Sequence, residues 1–321
     1  MLVLVLVLSE AVLVLVLESS DASLTIRFDY EHGRKRLSTS TRSNDRSTIA
    51  HACLASQVPT RHSPLPTHLS MYLANLTWPD VDSISRDLPV VIPVAALEQH
   101  GHHMPVFTDS MLLGEIVRRA GEACDGDALF LPLMWLGNSH HHMDFPGTIS
   151  AEPRVWLDLL SGLVDNVITH GFRRILVING HGGNDVPTRQ ATFELRQQHR
   201  RRDDLLLLAA TYWTLADPKE TIPDLHQEGM GHACEWEPSM VLQLAPHLVI
   251  DHHQVPEVTF GDPFRPASRA WTMPDRSELG HIGCPAVATA EKGELLFQTF
   301  SEGLVRLIKR MRAWDGKSWD G

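Results

Sequence analysis

Cysteine is scarce in this 321-residue chain, and the four present, Cys53, Cys124, Cys234 and Cys284, form no CxxC pair. Their wide separation fits neither a disulfide framework nor a thiolate zinc site, and it suits a reducing cytoplasm, where the chain is expected to reside. Basic charge is in deficit too: 28 Lys and Arg stand against 39 Asp and Glu, a formal net charge of −11. That balance argues against nucleic acid as a partner. The one basic run, His199-Arg200-Arg201-Arg202, meets Asp203-Asp204 at once and reads as a solvated helix end. GxGxxG and P-loop spacings are missing, so nothing points to a nucleotide cofactor. No internal repeat is visible, which removes solenoid and propeller architectures.

A membrane-spanning run is also lacking. Met1 to Glu18 is built of Leu and Val, but Ser9-Glu10 interrupts it and it is too short to cross a bilayer comfortably. It has no basic segment in front and no clear small-residue cleavage site behind, so it does not read as a secretory signal, and no membrane partner is expected. From about Ser19 to His68 the chain is rich in Ser, Thr, Arg and His with little apolar periodicity, which reads as disorder. Residues 1–70 are therefore expected to be a low-complexity extension, with the folded domain occupying 71–321.

What the chain does have is histidine, 19 residues in all, several of them clustered in loops that follow apolar runs. From Trp78 onward apolar runs alternate with helical patterns, the signature of an α/β domain with a mainly parallel central sheet flanked by helices. Strands are expected at Leu88–Leu97, Ala128–Leu133, Arg174–Ile178 and Leu205–Tyr212. Helices are expected from Asp80 to Arg86, from Ser110 through Val117, from Pro153 to His170, from about Asn184 to Arg201, and at the end of the chain to Trp314.

In open α/β sheets ligands bind beyond the carboxyl ends of strands. The first such end carries Glu98-Gln99-His100-Gly101-His102-His103-Met104-Pro105, closing at Thr108-Asp109. Glu98 and His100 lie two apart on extended chain and so project to one side. Gly101 then permits a sharp turn, and Asp109 returns a second carboxylate in front of a helix. A Glu, a His and an Asp at a strand exit make half of a metal site. The third strand runs into Asn179-Gly180-His181-Gly182-Gly183-Asn184, where glycines on both sides of His181 allow backbone to approach a bound group. His232, Glu235 and Glu237 open a further apolar segment, although acidic residues there also suit a helix N-terminus.

Together these blocks resemble the creatininase (creatinine amidohydrolase) family. The carrying motifs are ExHGxHxPxxTD from Glu98 to Asp109, SxxHxxFPGT from Ser139 to Thr148, NGHGGN from Asn179 to Asn184 and HAxExE from His232 to Glu237. The resemblance spans about Trp78 to Trp314 and implies two divalent metal ions per subunit, zinc, manganese or iron. It implies that Glu98, Asp109 and His181 hold one metal and that His100, Asp109 and Glu237 hold the other, with Asp109 bridging. It gives His232 the transfer of a proton to a leaving nitrogen, and it places His142 in the pocket; Glu235, beside the proposed ligand Glu237, is taken with His142 as a substrate-binding candidate. His102, His103, His140 and His141 are read as solvated loop residues. One departure stands out: creatininase proper has a metal-binding glutamate two residues after its NGH histidine, and here that position is Gly183.

The function these readings support is metal-dependent hydrolysis of an amide-type C–N bond in a small polar, cyclic or linear, substrate by a hydroxide bridging two metals. Hydrolytic C–C cleavage of a diketo-cyclitol is the alternative within enzymes. Outside them the alternative is a metal-binding sensor that kept the fold. The resemblance also implies a homo-oligomer, a hexamer.

Overall fold

The computed structural model describes the backbone of residues 2–8, 11–20 and 23–29, and residues 71–319 apart from 260, 262, 263 and 265. In the first of two units, Met1–Pro64, the Leu/Val run folds back on itself. Strands β1 (Leu2–Leu8), β2 (Ala11–Ser20) and β3 (Ser23–Asp29) form an antiparallel meander, with Leu8 opposite Ala11 and Ser20 opposite Ser23. The β-branched valines at every second position favour that geometry, which differs from the low-complexity extension expected over residues 1–70. The expected disorder otherwise falls on residues 30–70, outside the described residues.

The second unit, Leu65–Gly321, is built on five parallel strands: β4 (Met71–Tyr72), β5 (Val90–Val94), β6 (Leu129–Phe130), β7 (Arg174–Asn179) and β8 (Leu206–Thr211). Their order is β4-β6-β5-β7-β8. Side-chain alternation divides the core in two. Val90, Ile92 and Val94 of β5 and Ile175 and Val177 of β7 face one layer, and Val91, Leu176 and Ile178 face the other.

The helices on the first layer are α1 (Trp78–Ser83), α3 (Pro153–Thr169) and α4 (Asp185–Gln198). Helix α3 starts at Pro153, whose missing N–H costs nothing in the first turn, and buries Trp156, Leu160, Val164 and Ile168. On the other layer lie α2 (Thr108–Cys124), α5 (Trp236–Leu244) and α7 (Ala290–Ala313). Thr289 caps α7, its side chain accepting from the Lys292 N–H, and Leu296, Phe297, Phe300, Leu304, Ile308 and Met311 form its buried stripe. A single-turn helix, α6 (Met273–Arg276), lies in the connection before α7.

This strand order positions the site. The chain leaves β5 through α2 to reach β6 on one side, then leaves β6 through α3 to reach β7 on the other. Beyond the carboxyl end of β5 the connections diverge, which opens the crevice where α/β sheets bind ligands. Pro93 sits in this central strand although it cannot donate to a ladder. Its carbonyl accepts from Met134 N at 2.9 Å, so its nitrogen also faces the β6 side, where β6 has already ended at Phe130.

Candidate metal centre

Three chain segments converge beyond β5 and β7. The first is extended from Leu97, which pairs with Ile149, and is held by Glu98 N donating to Val106 O at 2.9 Å. It carries Glu98, Gln99 and His100, and ends by placing Asp109 in the first turn of α2. The second is the exit of β7, where the Asn179 side chain fixes the turn by accepting from His181 N at 3.0 Å and donating to His181 O at 2.6 Å. The third is the start of α5, with Glu237 in its first turn and His232 just before it. His232 is held by a two-way backbone bridge to Ile282.

Buried carboxylates and imidazoles meet there. His100 Nε2 lies 3.3 Å from Asp109 Oδ1 and 3.5 Å from Glu237 Oε1. His181 Nδ1 lies 3.0 Å from Asp109 Oδ2 and 3.2 Å from Glu98 Oε1. His232 Nδ1 stands 3.5 Å from Glu98 Oε1, and His142 Nε2 stands 3.7 Å from Glu98 Oε2. The two oxygens of Asp109 thus face two different histidines.

The outer nitrogens fix the tautomers. A carbonyl can only accept, so His100 Nδ1–H donates to Glu98 O at 3.1 Å and His181 Nε2–H donates to Asn138 O at 3.1 Å. Each ring therefore turns its inner nitrogen toward the carboxylates, the orientation of a metal-binding histidine whose other nitrogen is tied to a carbonyl; the carboxylates hold a proton there that a metal ion would displace. His232 Nε2–H donates to Gln99 O at 2.8 Å, which leaves Nδ1 as its basic atom.

The electrostatics follow from three carboxylates crowded out of water. Burial pushes Glu98 up, while the field of Asp109 and Glu237 raises His100 well above its ordinary value against its own burial penalty. His181, buried as deeply, is raised to about 10 by Glu98 and Asp109. Asp109 is held well below the usual carboxylate range by His100 and His181, although burial opposes it. Burial and the neighbouring His100 and His142 keep His232 neutral. His142 is likewise pushed down, to about 2, by burial and by His141 and His181. His100 Nε2, Asp109 Oδ2 and Glu237 Oε2 are buried without a hydrogen-bond partner. Unpartnered buried donors and acceptors are costly, and divalent cations held among these side chains would satisfy them.

The structure brings together Glu98, His100, Asp109, His142, His181, His232 and Glu237. It sets Glu235 apart: Lys292 Nζ holds one of its oxygens at 2.7 Å and Gln227 N the other at 2.9 Å. That carboxylate ties α5 to α7 and turns no free oxygen toward the cluster. His103 differs from the solvated reading, since it is buried and donates from Nε2 to Ala233 O at 2.9 Å.

Three participants are not among the expected site residues, although Ser139 opens the SxxHxxFPGT motif. Ser139 Oγ donates to Glu98 Oε2 at 2.6 Å, and the Asn138 carbonyl orients His181. Gln99 Nε2 donates to His142 Nδ1 at 2.7 Å and to Gly280 O at 2.9 Å. Gln99 thereby sets the tautomer of His142 with its side chain and that of His232 with its carbonyl.

Gly183 has a steric reason. A Cβ there would lie 2.2 Å from Asn138 O and 2.5 Å from His181 Nε2. In this backbone arrangement the position accepts no side chain, and the carboxylate that stands beside His100 is Glu237.

The profile of the creatininase family, described as creatinine amidohydrolase, matches residues 74–308. This chain belongs to the creatininase family. A creatinine amidohydrolase of Pseudomonas putida is 28% identical over 263 residues, covering 75% of this chain and 96% of that protein. A mycofactocin precursor peptide peptidase of Mycolicibacterium smegmatis is 31% identical over 230 residues, covering 69% of this chain and 84% of that one. The crystal structure of creatininase superposes with a TM-score of 0.66 at 26% identity, covering 76% of this chain and 99% of its own. Other solved creatininase structures include a Zn–Zn form of a variant and a manganese form. The chain is an enzyme, a metal-dependent amidohydrolase of the creatininase family, and its buried donor cluster suits divalent ions.

Proposed function

We propose that the chain is a dinuclear hydrolase that cleaves an amide-type C–N bond in a small polar substrate, working as a cytoplasmic homo-oligomer. One observation carries this reading: Asp109 presents Oδ1 to His100 and Oδ2 to His181. A carboxylate shared in that way divides the donors into two sets, Glu98, Asp109 and His181 against His100, Asp109 and Glu237. Two divalent ions in those sets would polarise the amide carbonyl and lower the pKa of a water from 15.7 toward ~7. His232 Nδ1 then takes a proton from the attacking water and returns it to the leaving nitrogen. Gln99 and Ser139 hold His232, His142 and Glu98 in register while this occurs.

Amide cleavage is preferred over C–C cleavage because relatives that cover most of this chain are named for amide and peptide substrates. Elemental analysis of purified variants tests the two-set arrangement. Asp109→Ala should lose both equivalents of metal, and Glu237→Gln should lose one. Two full equivalents retained in Glu237→Gln would refute the assignment of that carboxylate.

A further inference from the structure

Outside this centre, one cluster combines three kinds of metal donor. His226, Glu257 and Cys284 offer ligand atoms that all lie within 4.8 Å of one another. They come from three separate loops, and His226 Nε2 already meets Glu257 Oε1 at 3.4 Å. None of the three belongs to the catalytic centre described above.

The three loops are anchored beside each donor. Gln227, next to His226, accepts through Oε1 from Cys284 N at 2.9 Å and from Glu235 N at 2.8 Å. Val258, next to Glu257, exchanges two backbone hydrogen bonds with Gly283, at 2.9 and 2.7 Å. Gly283 is required for this approach: its φ is +128°, and a Cβ there would lie 2.5 Å from Gln227 Oε1. The donors are therefore brought together by backbone, and the His226–Glu257 contact alone does not have to hold them.

Cys284 is the decisive member. It is only 8% exposed, it forms no disulfide, and the backbone N–H groups of Ala286 and Val287 lie against its sulfur. Such N–H groups orient a thiolate in the way outer partners orient metal ligands generally. His226 and Glu257 are half-exposed, which leaves an entry path and room for a water.

We propose that His226, Glu257 and Cys284 form a further metal site for a zinc-class divalent cation, with water as the fourth ligand. Thiolate, imidazole and carboxylate together favour zinc over magnesium or calcium, and the tetrahedral distances of about 2.0–2.3 Å need only small side-chain movements. Binding exchanges a proton for the cation: the Cys284 S–H proton leaves to solvent, and the thiolate and carboxylate balance the two positive charges. Burial and the Glu257 carboxylate push the Cys284 thiol up, a shift that a bound cation reverses outright. The bound ion would clasp the loops around Gln227, Val258 and Gly283. Ile282, which bridges to His232, lies in the last of these.

Cobalt(II) is the probe, because cobalt bound to sulfur absorbs strongly in the near ultraviolet and cobalt bound only to nitrogen and oxygen does not. The catalytic centre proposed above has no sulfur ligand and stays silent in that band. Chelator-treated full-length protein titrated with Co²⁺ should develop the band and saturate it by three equivalents, two of them filling the silent catalytic centre, and equimolar Zn²⁺ should remove it. Cys284→Ser should abolish the band. His226→Ala changes a half-exposed side chain and keeps the test usable if Cys284→Ser does not fold. It should lower cobalt affinity at this site by ~100-fold, no less than loss of an outer-sphere partner costs. A wild-type protein without the band, or a band unchanged in either variant, would reduce the cluster to a surface ion pair and overturn the proposal.

Discussion

Among single side chains, His232 and Asp109 set opposite expectations for a substitution. Asp109 touches both histidines assigned to ligation, His100 and His181, whereas His232 meets Glu98 alone among the carboxylates at ion-pair distance, lies against the rings of His100 and His142, and is held by Gln99 and Ile282. His232→Ala should therefore keep its metal content and near-normal substrate affinity, and lose ~10²–10⁴-fold in turnover. Steady-state kinetics on a panel of amides, paired with metal analysis, reads both quantities; unchanged turnover per folded molecule would take His232 out of the chemistry. The residues legible in sequence are those whose type is rare in such places: a histidine flanked by glycines, or a Glu and a His two apart at a strand exit. Residue type alone assigns no role to Gln99, Ser139 or Asn138, because an amide, a hydroxyl or a backbone carbonyl there is ordinary loop chemistry. Glu235 was misplaced for a related reason. A carboxylate at a helix start can cap, pair or ligate, and its actual partner Lys292 lies 57 residues away.

Elements were read more easily than side chains, since their periodicity survives without knowledge of tertiary contacts. The apolar run at Leu88–Leu97 contains β5, and the long helical stripes appear as α2, α3, α4 and α7. The run at Ala128–Leu133 gives only Leu129–Phe130 as strand, because one extra residue enters between Leu131, which donates to Val91 O, and Met134, which donates to Pro93 O. The two-residue β4 is too short to leave a pattern at all. Between elements, a polar clasp joins α2, α5 and α7: Arg119 grips Glu294 in bidentate fashion at 2.7 and 2.8 Å, and Gln243 donates to the same carboxylate at 3.1 Å. The Arg119 guanidinium lowers Glu294 to about 2. A depressed carboxylate stabilises the fold above its unfolded value and loses that contribution as pH falls through the folded one. The window here lies between about 4.5 and 2. Glu294 is one-third exposed, so solvent screening limits the effect to ~0.5–1 kcal/mol. Thermal denaturation of Glu294→Gln should show a deficit near neutrality that closes toward pH 2; a deficit independent of pH would assign the effect to packing.

For the whole molecule, the boundary near residue 70 is the feature to test. The family match begins at residue 74, and the chain separates into Met1–Pro64 and Leu65–Gly321 units. We propose that the first 70 residues are dispensable, so a protein beginning at Met71 should fold and bind metal as the full chain does. Circular dichroism and metal content decide this, and an insoluble or metal-free product would make the preceding segment structural. Among the described residues no helix is long and apolar enough to cross a membrane. Within the larger unit, the short β6 has a consequence of its own. Because that strand stops at Phe130, residues 131–150 make one continuous excursion over the carboxyl edge of the sheet. It supplies Ser139, His142 and the Asn138 carbonyl, which steer the centre, but none of the six residues assigned to ligation or proton transfer. It also carries the exposed Trp135, Met143 and Ile149. The residues assigned to ligation and proton transfer thus lie on other pieces of chain. We propose that exchanging those three apolar side chains, with Asn138, Ser139 and His142 kept, shifts the preference among amides and leaves the metal content unchanged.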